Sequence, residues 1–79
     1  MIRNSDDIGG GDPRPAFGRR LAEIRRDAGL SQEALAHESG LARSYLSGVE
    51  RGQRNISLVN ICRLAAALAI RPADLLSSL

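Results

Sequence analysis

Residues 31–52 read SQEALAHESGLARSYLSGVERG, and their pattern decides the fold. Ser31 is a good N-cap, Glu33 complements the positive end of a helix, and Ala34, Leu35 and Ala36 are placed to face inward. Gly40 ends that helix with a left-handed turn, a conformation only glycine adopts without strain. A second short helix follows from about Arg43 to about Arg51. Leu46 and Val49 give it one buried face, and Arg43, Ser44, Ser47 and Arg51 share the opposite one. Two short helices across a glycine turn, the second carrying arginines outward, have the size and shape to place a helix in the major groove of DNA.

The flanking residues extend the same all-helical pattern. Phe17, Leu21, Ile24 and Ala28 recur at helical spacing after Pro15, where a first helix is expected to begin, and Gly29 stands where a C-terminal cap belongs. Ser57 is expected to cap a fourth helix with Leu58, Ile61, Ala65 and Leu68 as its inner stripe and Leu64 beside it. Pro72 opens a fifth, carrying Ala73, Leu75, Leu76 and Leu79. No run alternates apolar and polar residues in the way a strand requires. The expected architecture is a compact five-helix bundle over residues 14–79, preceded by a flexible tail over residues 1–13 that is rich in glycine and aspartate. The chain ends within the fifth helix, so no separate sensor domain is expected.

Composition narrows the function. The chain has 79 residues, enough for one small domain. Aromatic residues make up only 3%, so the core must be built from small aliphatic side chains. All 11 basic residues are arginine; arginine suits bidentate contacts to phosphate and guanine, although codon bias in a GC-rich genome gives the same usage. The distribution of charge says more than its sum. Between residues 40 and 63, Arg43, Arg51, Arg54 and Arg63 face only Glu50, whereas Arg3 in the first twelve residues is outnumbered by Asp6, Asp7 and Asp12.

The single cysteine, Cys62, forms no internal disulfide and reads as a small buried hydrophobe. His37 has no second ligand at metal spacing and reads as a solvent-facing helix residue. With no nucleophile–base pair, metal cluster or phosphate-cradling loop, neither an enzyme nor a cofactor, metal or small-molecule ligand is expected. No signal peptide or membrane span is legible, which points to the cytoplasm.

The segments Leu30-Ser31-Gln32-Glu33-Ala34-Leu35-Ala36, Gly40, Tyr45-Leu46-Ser47-Gly48-Val49-Glu50-Arg51-Gly52 and Leu64 to Leu76 occur in an order that resembles the Cro and phage-repressor type of helix-turn-helix domain, the XRE family. The stretch from Arg43 to Ser57 is most similar to restriction–modification controller proteins within it. The resemblance covers residues 17–79. It implies a lambda-repressor-like five-helix fold, a homodimer on a two-fold or pseudo-two-fold operator, and a buried ion pair between Arg25 and Glu50. Three positions depart from the family pattern: Ala42 where a cap is common, Ala69 where glycine is usual, and Arg71 where another cap is common.

The residues expected to meet DNA follow from both readings. Arg43, in the first turn of the third helix, is the candidate base reader, with Ser44 beside it. Ser47 and Arg51 are expected on phosphates, as is Gln32 at the start of the second helix, which by resemblance also supports the first residue of the recognition helix. Tyr45 has two readings, a DNA contact or a half-buried structural ring. Arg54 and Asn55 are expected near the backbone or minor groove, with a solvated loop as the alternative. Leu68, Ile70, Leu75, Leu76 and Leu79 exceed what one small core can hide and are the candidate dimer surface. A dimeric transcriptional regulator is the first reading; an antitoxin or adaptor whose main task is protein binding is the second, and a bundle that never touches DNA the third.

Overall fold

In the computed structural model, residues 11–79 are described, and most of the expected tail lies outside them. Five helices follow one another: α1 (Arg14–Asp27), α2 (Gln32–Ser39), α3 (Arg43–Glu50), α4 (Leu58–Ala67) and α5 (Pro72–Leu76). No strand occurs among the described residues. Helix α1 packs on α3 and α5, and α2 on α3 and α4, so α3 is held between the first two helices with its outer side free.

Each boundary has a local cause. The Asp12 carboxylate accepts a hydrogen bond from the Arg14 backbone N–H at 3.0 Å and steadies the start of α1. Ser31 Oγ accepts from Ala34 N–H at 3.0 Å, and Ser57 Oγ accepts from Asn60 N–H at 3.1 Å. Gly40 takes φ +76°, and the Leu41 N–H returns to the Ala36 carbonyl, which turns the chain sharply into α3. Ala42 gives α3 no side-chain cap, so this helix depends on packing to begin where it does. At α5, arginine has no acceptor to offer, and Asp74 supplies the reciprocal half of a cap by accepting from Arg71 N–H at 3.0 Å.

The core is aliphatic around one aromatic ring. Leu21, Leu35, Leu46, Leu64, Leu75 and Val49 are its fully buried side chains, and Phe17 closes one end. Among the described residues no buried side-chain nitrogen or oxygen lacks a partner; the one buried polar residue, Ser39, donates to the Leu35 carbonyl one turn back at 2.7 Å.

Several expectations about facing fail. Leu58 is 71% exposed, because it stands on the first turn of α4 at the rim, and Ile56 from the preceding loop packs against the core instead. Cys62 is exposed, on the outer side of α4 away from Ile61, Leu64 and Ala65. Ala28 falls just past the last turn of α1 and is also exposed. Helix α5 stops at Leu76, and of its apolar residues only Leu75 is buried.

Ala69 has φ +56°, the one positive value at a non-glycine residue among those described. The N–H groups of Ala69 and Ile70 close α4 onto the carbonyls of Ala66 and Ala65, so this left-handed turn is needed to aim α5 back at the core. An L side chain is strained there by about 1 kcal/mol. Ala69→Gly is therefore expected to stabilise the protein by about that amount, raising the thermal midpoint by about 4–8 °C for a domain of this size. Circular dichroism melting checks it, and an unchanged or lowered midpoint contradicts it.

Candidate nucleic-acid interface

Three features place α3 before its side chains are considered. Leu46 and Val49 anchor it in the core. Gly18 of α1 lets the helix backbones meet: a Cβ there would lie 2.4 Å from the Glu50 carbonyl oxygen and 2.5 Å from that of Val49. The last residue of α3, Glu50, is clamped from two sides. Arg25 Nε donates to Glu50 Oε2 at 2.7 Å, and Arg25 Nη2 to Oε1 at 3.1 Å. Arg25 and Glu50 side chains are only 12% and 6% exposed, so the fork-to-fork pair is shielded from water. Arg25 Nη1 also donates to the Leu30 carbonyl at 2.9 Å, and Gln32 Nε2 donates to Glu50 Oε1 at 2.9 Å. One carboxylate thus joins the end of α1, the start of α2 and the end of α3.

Gln32 therefore supports α3 at its last residue, Glu50, and not at its first, where the family resemblance had placed that support. One hydrogen of its amide is committed to Glu50, and the other remains for a second acceptor.

Arg43 and Ser44 stand exposed at the free end of α3. Arg51 Nη1 donates to Ser47 Oγ one turn back, and Arg51 Nε to Gln53 Oε1 at 3.4 Å. Tyr45 is half-buried and holds the loop between α3 and α4. Its hydroxyl donates to the Asn55 carbonyl at 3.1 Å and accepts from Asn60 Nδ2 at 3.3 Å. The guanidinium carbon of Arg54 lies 5.5 Å from the centre of its ring, within cation–π range. The eight candidates from Gln32 to Asn55 are thereby gathered on α3 and its two flanks. Glu50 is neutralised by Arg25, so Arg43, Arg51 and Arg54 leave this surface with uncompensated positive charge.

The expected dimer residues separate. Leu75 is fully buried and Leu68 is 8% exposed, so both complete the core of the single chain rather than a surface. Ile70 is half-buried, while Leu76 and Leu79 are exposed. The most exposed large apolar residues, Leu58 and Val59 at 62%, lie on α4, and sequence reading did not assign either to a surface. Gly18 was also missed; its signal is a glycine inside a helix, which is tolerated chiefly where something must come close. Among the described residues, no helix is long and apolar enough to cross a membrane.

A helix-turn-helix family model, HTH_3, matches residues 21–75. The control protein C.BamHI of Bacillus amyloliquefaciens is 47% identical over 64 residues, which span 80% of this chain and 79% of that protein. The crystal structure of the restriction-modification controller protein C.AhdI from Aeromonas hydrophila matches with a TM-score of 0.77 at 64% identity, covering 77% of this chain and 92% of that one. The biofilm master regulator SinR, solved in complex with DNA, matches with a TM-score of 0.73 at 34% identity, over 76% of this chain and 97% of that one.

The lacing by Tyr45 is open to a simple measurement. Tyr45→Phe removes one hydroxyl that serves both Asn55 and Asn60 and is expected to cost about 0.5–1.5 kcal/mol. Urea unfolding reads this as a lower midpoint at unchanged slope. A variant as stable as the parent contradicts the role given to the hydroxyl.

Proposed function

This chain belongs to the HTH_3 helix-turn-helix family, and we propose that it is a sequence-specific DNA-binding transcriptional regulator, acting in the cytoplasm as a homodimer on a pseudopalindromic operator. The observation that carries the reading is the free outer side of α3. A rigidly clamped helix presents Arg43 and Ser44 at its leading end, and Arg51 and Arg54 flank it with unneutralised charge. Within the family, the likeness to C.BamHI and C.AhdI favours a restriction–modification controller.

The roles divide by chemistry. Arg43 reads a base: its planar fork matches guanine O6 and N7 in the major groove. Ser44 contacts an adjacent base or phosphate. Ser47 and Arg51, bonded to each other in the free protein, hold phosphates and set register, as does the remaining Gln32 amide hydrogen. Tyr45 holds the loop that carries Arg54 and Asn55 toward the backbone. The partner copy is bound by apolar side chains left in water, chiefly Leu58 and Val59, with Ile70, Leu76 and Leu79 as further contributors. Two copies so joined present their recognition helices roughly 34 Å apart, one turn of DNA.

Binding to a duplex taken from directly upstream of the chain's own coding sequence, followed by fluorescence anisotropy, tests the first part. Arg43→Ala is expected to lose about 1–3 kcal/mol of affinity there while weak binding to a scrambled duplex is unchanged. Equal affinity of the parent for both duplexes at physiological salt contradicts sequence reading. Sedimentation tests the second part. Val59→Asp adds a negative charge to the first turn of α4, where a helix tolerates it well, so the fold is retained. The variant is expected to sediment as a monomer at concentrations where the parent is a dimer; persistence of the dimer rules out this face.

A further inference from the structure

Gly48 lies in the middle of α3, where glycine is the weakest helix former apart from proline. It is buried, and the atoms nearest to where its side chain would stand belong to the loop after α3. A Cβ at Gly48 would lie 2.6 Å from Arg54 Cγ, with Arg54 Cδ at 3.5 Å and Arg54 Cβ at 3.8 Å as its next neighbours. The aliphatic stem of Arg54 thus rests on the bare backbone of α3.

The loop is shaped to bring it there. Gly52 takes φ +76°, its N–H donates to the Val49 carbonyl at 3.0 Å, and the Gln53 N–H donates to the Gly48 carbonyl itself at 2.9 Å. The guanidinium then stands over the Tyr45 ring, which the bonds to Asn55 and Asn60 immobilise. Gly48 is one helical turn beyond Ser44, so the row begun by that side chain continues with an arginine supplied by the loop.

We propose that Gly48 is a positioning residue: its missing side chain is the seat on which Arg54 docks, making the loop arginine a pre-organised phosphate contact of the recognition surface. This rests on the DNA-binding reading above. Docking lowers the entropy lost when a long, flexible side chain is fixed on a ligand. The seat differs in kind from Gly18, where an added Cβ meets backbone carbonyls that have no room to move. At Gly48 the obstructed group is one exposed side chain with solvent beside it. Alanine at this position is therefore compatible with the fold and improves helix propensity, yet it unseats Arg54.

Gly48→Ala, Arg54→Ala and the double variant, each made in the full chain, test the proposal with two readouts. The first needs no DNA. Tyr45 is the only tyrosine and the chain has no tryptophan, so its ring resonances are unambiguous. Gly48→Ala is expected to abolish the ring-current shift of the Arg54 side-chain protons and to move the Tyr45 ring signals as Arg54→Ala does, without lowering the thermal midpoint. The second is binding to the upstream duplex: Gly48→Ala and Arg54→Ala each weaken it about tenfold, and the double variant is no weaker than Arg54→Ala alone. Unshifted Arg54 protons in Gly48→Ala, affinity of Gly48→Ala equal to the parent, or losses that simply add would each overturn the proposal. A parent chain that shows the docked signature but binds no duplex overturns the role given to Arg54 through failure of the DNA-binding reading, and the intact signature distinguishes that case.

Discussion

The carboxylate of Glu50 is the point on which the arrangement of this domain depends. It ends α3, and it is engaged by Arg25 from α1 and Gln32 from α2. A charge this well shielded is costly to bury alone, and only a bidentate partner with further hydrogen bonds offsets the loss of water. The same Arg25 also closes the turn between α1 and α2 by donating to the Leu30 carbonyl. A helix of eight residues with no N-terminal cap has little stability of its own, so its direction must come from elsewhere. Leu46 and Val49 supply depth, Gly18 supplies closeness, and Glu50 supplies orientation.

The clamp sits at one end of α3 and leaves the other free. Arg43 and Ser44 stand exposed at one end, while the other end is bonded through Glu50 to α1 and α2. The loop that follows is laced back by Tyr45, Gly48 and Gly52, so the segment carrying Arg54 and Asn55 is tied to α3. The proposed DNA-binding surface is thus one continuous unit of a helix and its following loop. Such pre-organisation lets binding energy go into recognition instead of ordering the chain.

Much of this was legible in the chain itself. Ser31 and Ser57 announce the starts of α2 and α4, Gly40 the turn, and the spacing of Leu46 and Val49 the buried side of α3. The strained turn at Ala69 was visible only as a departure from the glycine that the family resemblance implies there. Arg25 and Glu50 stand 25 residues apart, and no local rule joins them; the family resemblance did. Periodicity failed where it met the edge of a helix. Leu58 fits the stripe of α4 in register but stands on its first turn, beyond the reach of the core, and Ile56 takes that place from an irregular loop. Cys62 was misplaced because lying beside the inner stripe of α4 was taken as burial, whereas it falls on the exposed side of Ile61. Periodicity put Leu68 on the inner stripe of α4, where it lies, but it and Leu75 were also assigned to a dimer surface because counting apolar residues does not reveal which of them a small core needs.

A double-mutant cycle on the clamp tests the account most directly. Arg25→Met and Glu50→Leu, singly and together, are compared with the parent by urea unfolding at neutral pH. Each single change leaves a buried charged group without its partner and is expected to cost about 3–5 kcal/mol. The double variant, apolar on both sides, is expected to cost far less than the sum, so the coupling energy is several kcal/mol. Single losses below about 1 kcal/mol that simply add would show that the pair does not hold α3, and would contradict the account.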